Sequence, residues 1–171
     1  MNFEHIISDS TGLMHLIASL IALISGTVVL IKSKGTKWHK RNGYIYSVAM
    51  TIVLITSFLM YNLYGKFGIF HWLAVVSSVT LIGGLIPMYL KKPKSYVTMH
   101  FSFMYWSVMG LYGAFIAEIL VRIPKSIMKD GSIDPQFYLL VDVGVFIIMG
   151  FGSIFFKKKK ITWEKFDGSQ I

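Results

Sequence analysis

Five long apolar stretches alternate with short polar ones along this chain. The first runs from about Gly12 to Ile31, uncharged between Asp9 and Lys32. Residues 42–65 and 67–90, bracketed by Arg41, Lys66 and Lys91, carry no formal charge. A fourth stretch runs from about Val97 to Val121 with Glu118 as its only charge, and a fifth from about Gln136 to Phe156 with Asp142 inside it. About 20 apolar residues cross a ~30 Å hydrocarbon core as a helix, so each stretch is long enough to span. Helix is required because lipid offers backbone amides no partner, and the alternation of a membrane β-strand is missing. The pattern predicts an all-α integral membrane protein, a five-transmembrane-helix bundle with spans at about 12–31, 42–65, 67–90, 97–121 and 136–156. Residues 1–156 form a single membrane domain in this reading, and 157–171 a basic tail.

Composition supports the bilayer as solvent. The chain of 171 residues is 54% hydrophobic and 15% charged, against about 25% charged in soluble domains. It has no cysteine, which excludes disulfides and thiolate metal sites.

The formal charge of +9 is explained by topology. Lys32, Lys34, Lys37, Lys40, Arg41, Lys91, Lys92, Lys94, Lys157 to Lys160 and Lys165 fall on one side of five alternating spans; Lys66, Arg122, Lys125 and Lys129 fall on the other. The positive-inside rule then expects the N-terminus outside and the C-terminus in the cytoplasm, in a multi-pass protein of the cell membrane. No basic face of useful length remains for nucleic acid. The expected partners are the lipid bilayer and other membrane subunits, with the four-lysine run drawing anionic lipid. Residues 1–9 carry Glu4 and Asp9 but no basic residue, unlike a signal peptide.

Aromatic residues mark the same depths: Trp38, Tyr44, Tyr46, Tyr89 and Tyr96 at one interface, Tyr61, Tyr64, Trp72 and Tyr138 at the other. Ala18, Ala22 and Gly26, and again Gly110 and Ala114, repeat at the spacing that lets membrane helices approach closely. Gly83, Gly84 and Pro87 are expected to adjust packing in the third span. Pro124, Gly131 and Pro135 break any helix in the 122–136 loop.

Candidate chemistry centres on histidine. His15 and His71 fall toward the outer ends of the first and third spans, His39 and His100 toward the inner ends of the second and fourth. Two layers of paired imidazoles would suit two bis-histidine hemes, one per leaflet, held in a helical bundle. Ser19, Ala22, Gly43 and Ser107 follow on the same helical faces and leave room for a flat ring. His39, flanked by Trp38, Lys40 and Arg41, is expected at headgroup level and is the least suited of the four.

A second constellation overlaps the first. Glu118 lies about five helical turns after His100, and Asp142 lies in the fifth span without a nearby cation on its own helix. Carboxylates in hydrocarbon cost about 2.5–3.5 kcal/mol on insertion scales, so both are expected to face the interior. With His15 and His71 they would make an outer metal site for zinc, iron or manganese, or a site for a transported proton or cation. The alternative for Glu118 is an ion pair with Arg122, four residues later. No phosphate loop, His-Glu-x-x-His motif or nucleophile elbow is present, so the chain does not read as an enzyme.

Two resemblances follow from these residues. The alternation of histidines between helices is similar to that of the ascorbate-reducible transmembrane diheme cytochromes b, a likeness of arrangement. More specifically, His15, Ala22-Leu23-Ile24-Ser25-Gly26, Lys34-Gly35, His39-Lys40-Arg41-Asn42-Gly43-Tyr44-Ile45-Tyr46 and Met50 resemble the bacterial membrane proteins of domain of unknown function family 2306. His100 with Met104 resembles that family's later histidine motif, although Phe101 and Ser102 stand where the family has arginines. The resemblance implies a small multi-spanning helical protein in which His15, His39 and His100 share a pattern. It implies no activity. The residues themselves favour a b-type heme protein for electron transfer or respiratory-complex assembly, with His15, His71, His39 and His100 as ligands. A metal or proton carrier, and a structural subunit without ligand, are the alternatives.

Overall fold

The computed structural model describes residues 10–61, 66–121 and 135–168. Five helices run through them: α1 (Ser10–Ile31), α2 (Lys37–Leu59), α3 (Ile69–Leu90), α4 (Tyr96–Val121) and α5 (Pro135–Gly168). Each contains a stretch long and apolar enough to cross a membrane, and no strand occurs among the described residues. The expected spans are therefore present, with two shifts at their ends. The second helix starts at Lys37 and stops at Leu59; the rest of its expected span, residues 62–65, lies outside the described residues, as do residues 1–9 and the loop residues 122–134.

The larger shift is in α5. It continues through Lys157 to Lys160 as far as Gly168, so residues 157–168 are helix and extend the last span. At 1.5 Å per residue its 34 residues reach about 51 Å, well beyond a ~30 Å hydrocarbon core. A lysine run is no barrier to helix once the chain has left the lipid, because lysine is itself a good helix former.

The chain divides into two compact units, Met1–Leu81 and Ile82–Ile171. In the first, α1 and α2 form a hairpin whose turn is built locally. Lys34 donates from Nζ to the carbonyls of Val29 and Leu30, at 2.5 and 3.2 Å, placing a cation on the open C-terminus of α1. Gly35 follows at φ +77°, a backbone conformation that costs glycine nothing. Thr36 then caps α2, its hydroxyl accepting from the His39 N–H at 3.2 Å. The Lys34-Gly35 pair is thus the hinge of the hairpin.

The buried face of α1 is His15, Ala18, Ala22, Ser25, Gly26 and Val29, which includes the small-residue repeat. Across from it α2 buries His39, Tyr46, Ala49, Met50, Val53, Leu54 and Thr56. Tyr46 is fully buried, so it belongs to the core and not to the interfacial belt. The reason is register. The His15–Thr56 bond fixes the pair, and about 15 Å further along each helix Tyr46 comes level with Ser25 and Gly26, where α1 has little side chain. Trp38, Tyr44, Tyr61, Trp72 and Tyr89 are exposed as expected.

In the second unit the glycines of α3 seat α4. A Cβ on Gly83 would lie 2.9 Å from the Phe103 ring, and one on Gly84 2.7 Å from Met104 Sδ. Pro87 is accommodated inside α3, in keeping with a packing role for this segment. Gly110 and Ala114 are only half-buried. Phe101, Tyr105, Trp106, Phe156 and Trp163 form a chain of ring contacts between α4 and α5, with centroids 5.4–5.9 Å apart. The helical extension closes this cluster: Trp163 is 3% exposed, and Phe166 meets Phe101 edge-on.

Beyond it, the Asp167 carboxylate accepts from the backbone N–H groups of Val97 (3.1 Å) and Thr98 (3.2 Å). A carboxylate on the first free amides of a helix is the usual capping arrangement. Here it is delivered from another helix.

Candidate functional site

The four spanning histidines are all accounted for, and each ring has a different setting. His15 is buried on α1, its Nδ1 2.8 Å from Thr56 Oγ1 on α2. The Thr56 hydroxyl also lies 2.7 and 2.9 Å from the carbonyls of Ile52 and Val53 on its own helix. With its one proton on either carbonyl, the hydroxyl accepts from the ring. His15 donates from Nδ1–H, which leaves its Nε2 as the lone-pair nitrogen.

His100 is fixed in the same way by a different partner. Its Nδ1 lies 2.7 Å from the Gly84 carbonyl of α3. A carbonyl can only accept, so this ring too carries its proton on Nδ1 and its lone pair on Nε2. The close seat of Met104 over Gly84 brings the ring within reach, which ties the His100–Met104 spacing to the glycine beneath it.

His71 is the opposite case. It sits in the first turn of α3, where its Nδ1 accepts from the Gly68 N–H at 3.1 Å while its own N–H donates to the Gly68 carbonyl. This is the reach-back of a capping box, with histidine in the place usually held by glutamate. The ring lies between Tyr61 and Phe67, centroids 4.6 and 4.7 Å away. Its proton must therefore be on Nε2, which is buried without a hydrogen-bond partner. Metal-ligating histidines usually donate one nitrogen and coordinate through the other; His71 is held in the wrong tautomer for coordination through Nε2.

His39 is set apart from its neighbours by burial. Its neighbours Trp38, Lys40 and Arg41 are exposed, whereas His39 is buried. Its ring is turned toward the packed side of the helix at the start of α2.

Asp142 stands on an exposed face of α5 and Glu118 is half-buried on α4. Within the second unit the buried side of α5 is formed by Val141, Gly152 and Trp163, not by Asp142. No group of three or more histidine and acidic side chains able to hold a metal ion occurs among the described residues. Arg122, the alternative partner of Glu118, lies outside the described residues.

Of the small residues expected to leave room for a macrocycle, Ala22 and Ser107 are fully buried in packed surroundings, Ser19 is half-buried, and only Gly43 faces open space. One groove of about 650 Å³ runs along α1 and α2. Its lining is apolar and includes none of the histidines.

Five helices long and apolar enough to cross a membrane define a multi-spanning helical membrane protein. The chain belongs to the family described as predicted membrane protein (DUF2306), which it matches over residues 12–155. No curated protein and no solved structure is significantly similar to it.

Proposed function

We propose that this membrane protein carries b-type heme through His15 and His100, and serves electron transfer or the assembly of a respiratory complex. One observation carries the reading. Both rings hold Nδ1 against a protein oxygen, Thr56 Oγ1 for His15 and the Gly84 carbonyl for His100, the kind of bond that orients an imidazole serving as an axial ligand. With the N-terminus outside and the C-terminus in the cytoplasm, as the charge distribution expects, His15 is the competent imidazole of the outer layer and His100 that of the inner layer. In this reading His71 serves as a helix cap, through its bond from the Gly68 N–H. His39 keeps a place in the inner layer by its burial.

The absorption spectrum of full-length protein purified from heme-replete cells tests this. A Soret band approaching one or two hemes per chain is expected, reduced in His15→Ala and in His100→Ala and unchanged in His71→Ala. A spectrum without a Soret band ends the reading.

A second reading is favoured by the same bonds. His15 ties α1 to α2, His100 ties α3 to α4 and His71 caps α3, which is what histidines do in a structural subunit without ligand. Under that reading the alanine variants lower stability and the purified protein is colourless.

A further inference from the structure

The apolar groove on the α1–α2 hairpin has a charged end. Met14, Ile17 and Ile21 line it from α1, Tyr44, Val48 and Ile52 from α2. In the register set by the His15–Thr56 bond, the groove runs about 25 Å from Ser10 to the level of Tyr44, most of a ~30 Å hydrocarbon core. At the Tyr44 end, the same stripe of α2 continues one turn to Arg41 and one more to Lys37, with Trp38 beside them. All three are exposed. Neither α1 nor α2 contains an acidic residue, so nothing on the hairpin neutralises this end. The N-terminus of α2, capped at Thr36, adds partial positive charge there.

We propose that this groove is a binding site for an anionic phospholipid. One acyl chain lies along Ile17, Ile21, Val48 and Ile52, and the phosphate is held by the Arg41 guanidinium and Lys37, with the Tyr44 phenol at the level of the glycerol. Arginine suits the role because its planar fork matches phosphate oxygens in pairs. The aliphatic stems of both cations extend from the apolar stripe to the headgroup plane. The bound lipid covers an apolar channel that two narrow-faced helices leave open. The site is separate from the histidines and does not depend on the heme reading.

Native mass spectrometry of the full-length protein, released from detergent containing equal amounts of phosphatidylglycerol and phosphatidylcholine, tests the site. Wild type is expected to retain one phosphatidylglycerol in clear preference. The surface variant Arg41→Gln should lower that preference about fivefold, the value of one basic residue near an anionic lipid, and Lys37→Gln with Arg41→Gln should remove it. Val48→Trp, at an exposed groove position, should reduce retention of both lipids. Lys157 to Lys160 replaced together by Gln should leave the preference intact. The proposal is overturned by equal retention of the two lipids in wild type, by a preference that survives the Lys37/Arg41 change or disappears with the lysine run, or by full retention in Val48→Trp.

Discussion

Replacing Thr56 by Val isolates the bond that ties α1 to α2. The methyl that takes the place of the hydroxyl keeps the shape of the side chain, and the Ile52 and Val53 carbonyls lose only a secondary contact, because helical N–H groups still reach them. What is lost is the acceptor for His15 Nδ1–H, in a site where His15 is 8% and Thr56 1% exposed. A buried donor left unsatisfied costs about 1–3 kcal/mol, while interhelical polar bonds in membrane bundles average about 0.6 and reach about 1.7 kcal/mol. The expected loss is therefore about 1–2 kcal/mol, a factor of roughly 5–30 in the folded-to-unfolded ratio. Reversible unfolding in mixed micelles, followed by far-UV circular dichroism, measures it. The companion variant His15→Leu and the double variant complete a cycle, in which the double change should cost about 1 kcal/mol less than the two singles combined. A Thr56→Val protein within about 0.3 kcal/mol of wild type, or a strictly additive cycle, would refute both the bond and the tautomer assignment built on it.

Further outcomes follow from other contacts. Gly83→Ala forces the Phe103 ring outward from a 2.9 Å approach and should cost about 1–3 kcal/mol, read in the same unfolding assay. Asp167→Ala should cost about 1 kcal/mol as the loss of a helix cap, with the Val97 and Thr98 amides exchanging hydrogen faster than in wild type. His71→Ala removes the reach-back bond to Gly68 and should lower stability by about 1 kcal/mol. It should leave any heme absorption untouched, in contrast to His15→Ala.

The hydropathy pattern made the five spans legible because crossing lipid leaves a long uncharged run no other structure. The close-packing role of Gly83 and Gly84 was legible for a similar reason: two adjacent glycines in a helix need a neighbour that uses the space. The extension of α5 was not, because Lys157 to Lys160 mark where lipid ends and say nothing about where helix ends. Its signal was the recurrence of Phe156, Trp163 and Asp167 at helical intervals beyond the lysines. Tyr46 was misplaced because depth along a span does not reveal which side of the helix a ring occupies; its spacing from Ala49, Met50 and Val53 did carry that information. The tautomers of His15, His71 and His100 depend on partners 41, three and 16 residues away, and only the His71 partner is close enough in sequence to be anticipated. Asp142 shows the limit of the cost argument: the expense of a carboxylate in hydrocarbon says that it needs a setting, not which side of its helix supplies one.

The cap on α4 has a consequence for synthesis. Asp167 is 70 residues downstream of Val97, so at about 5–20 residues per second the start of α4 waits roughly 4–14 s for the carboxylate that completes it. The α1–α2 hairpin has no such delay, since Lys34, Gly35 and Thr36 are made together with the helix ends they finish. The first unit is therefore ready to assemble while the ribosome is still at work, and the second closes only when its last helix has emerged. During that interval the first amides of α4 must be served by water or lipid headgroups. A chain truncated just before Asp167 keeps all five apolar runs and leaves the first amides of α4 without their carboxylate.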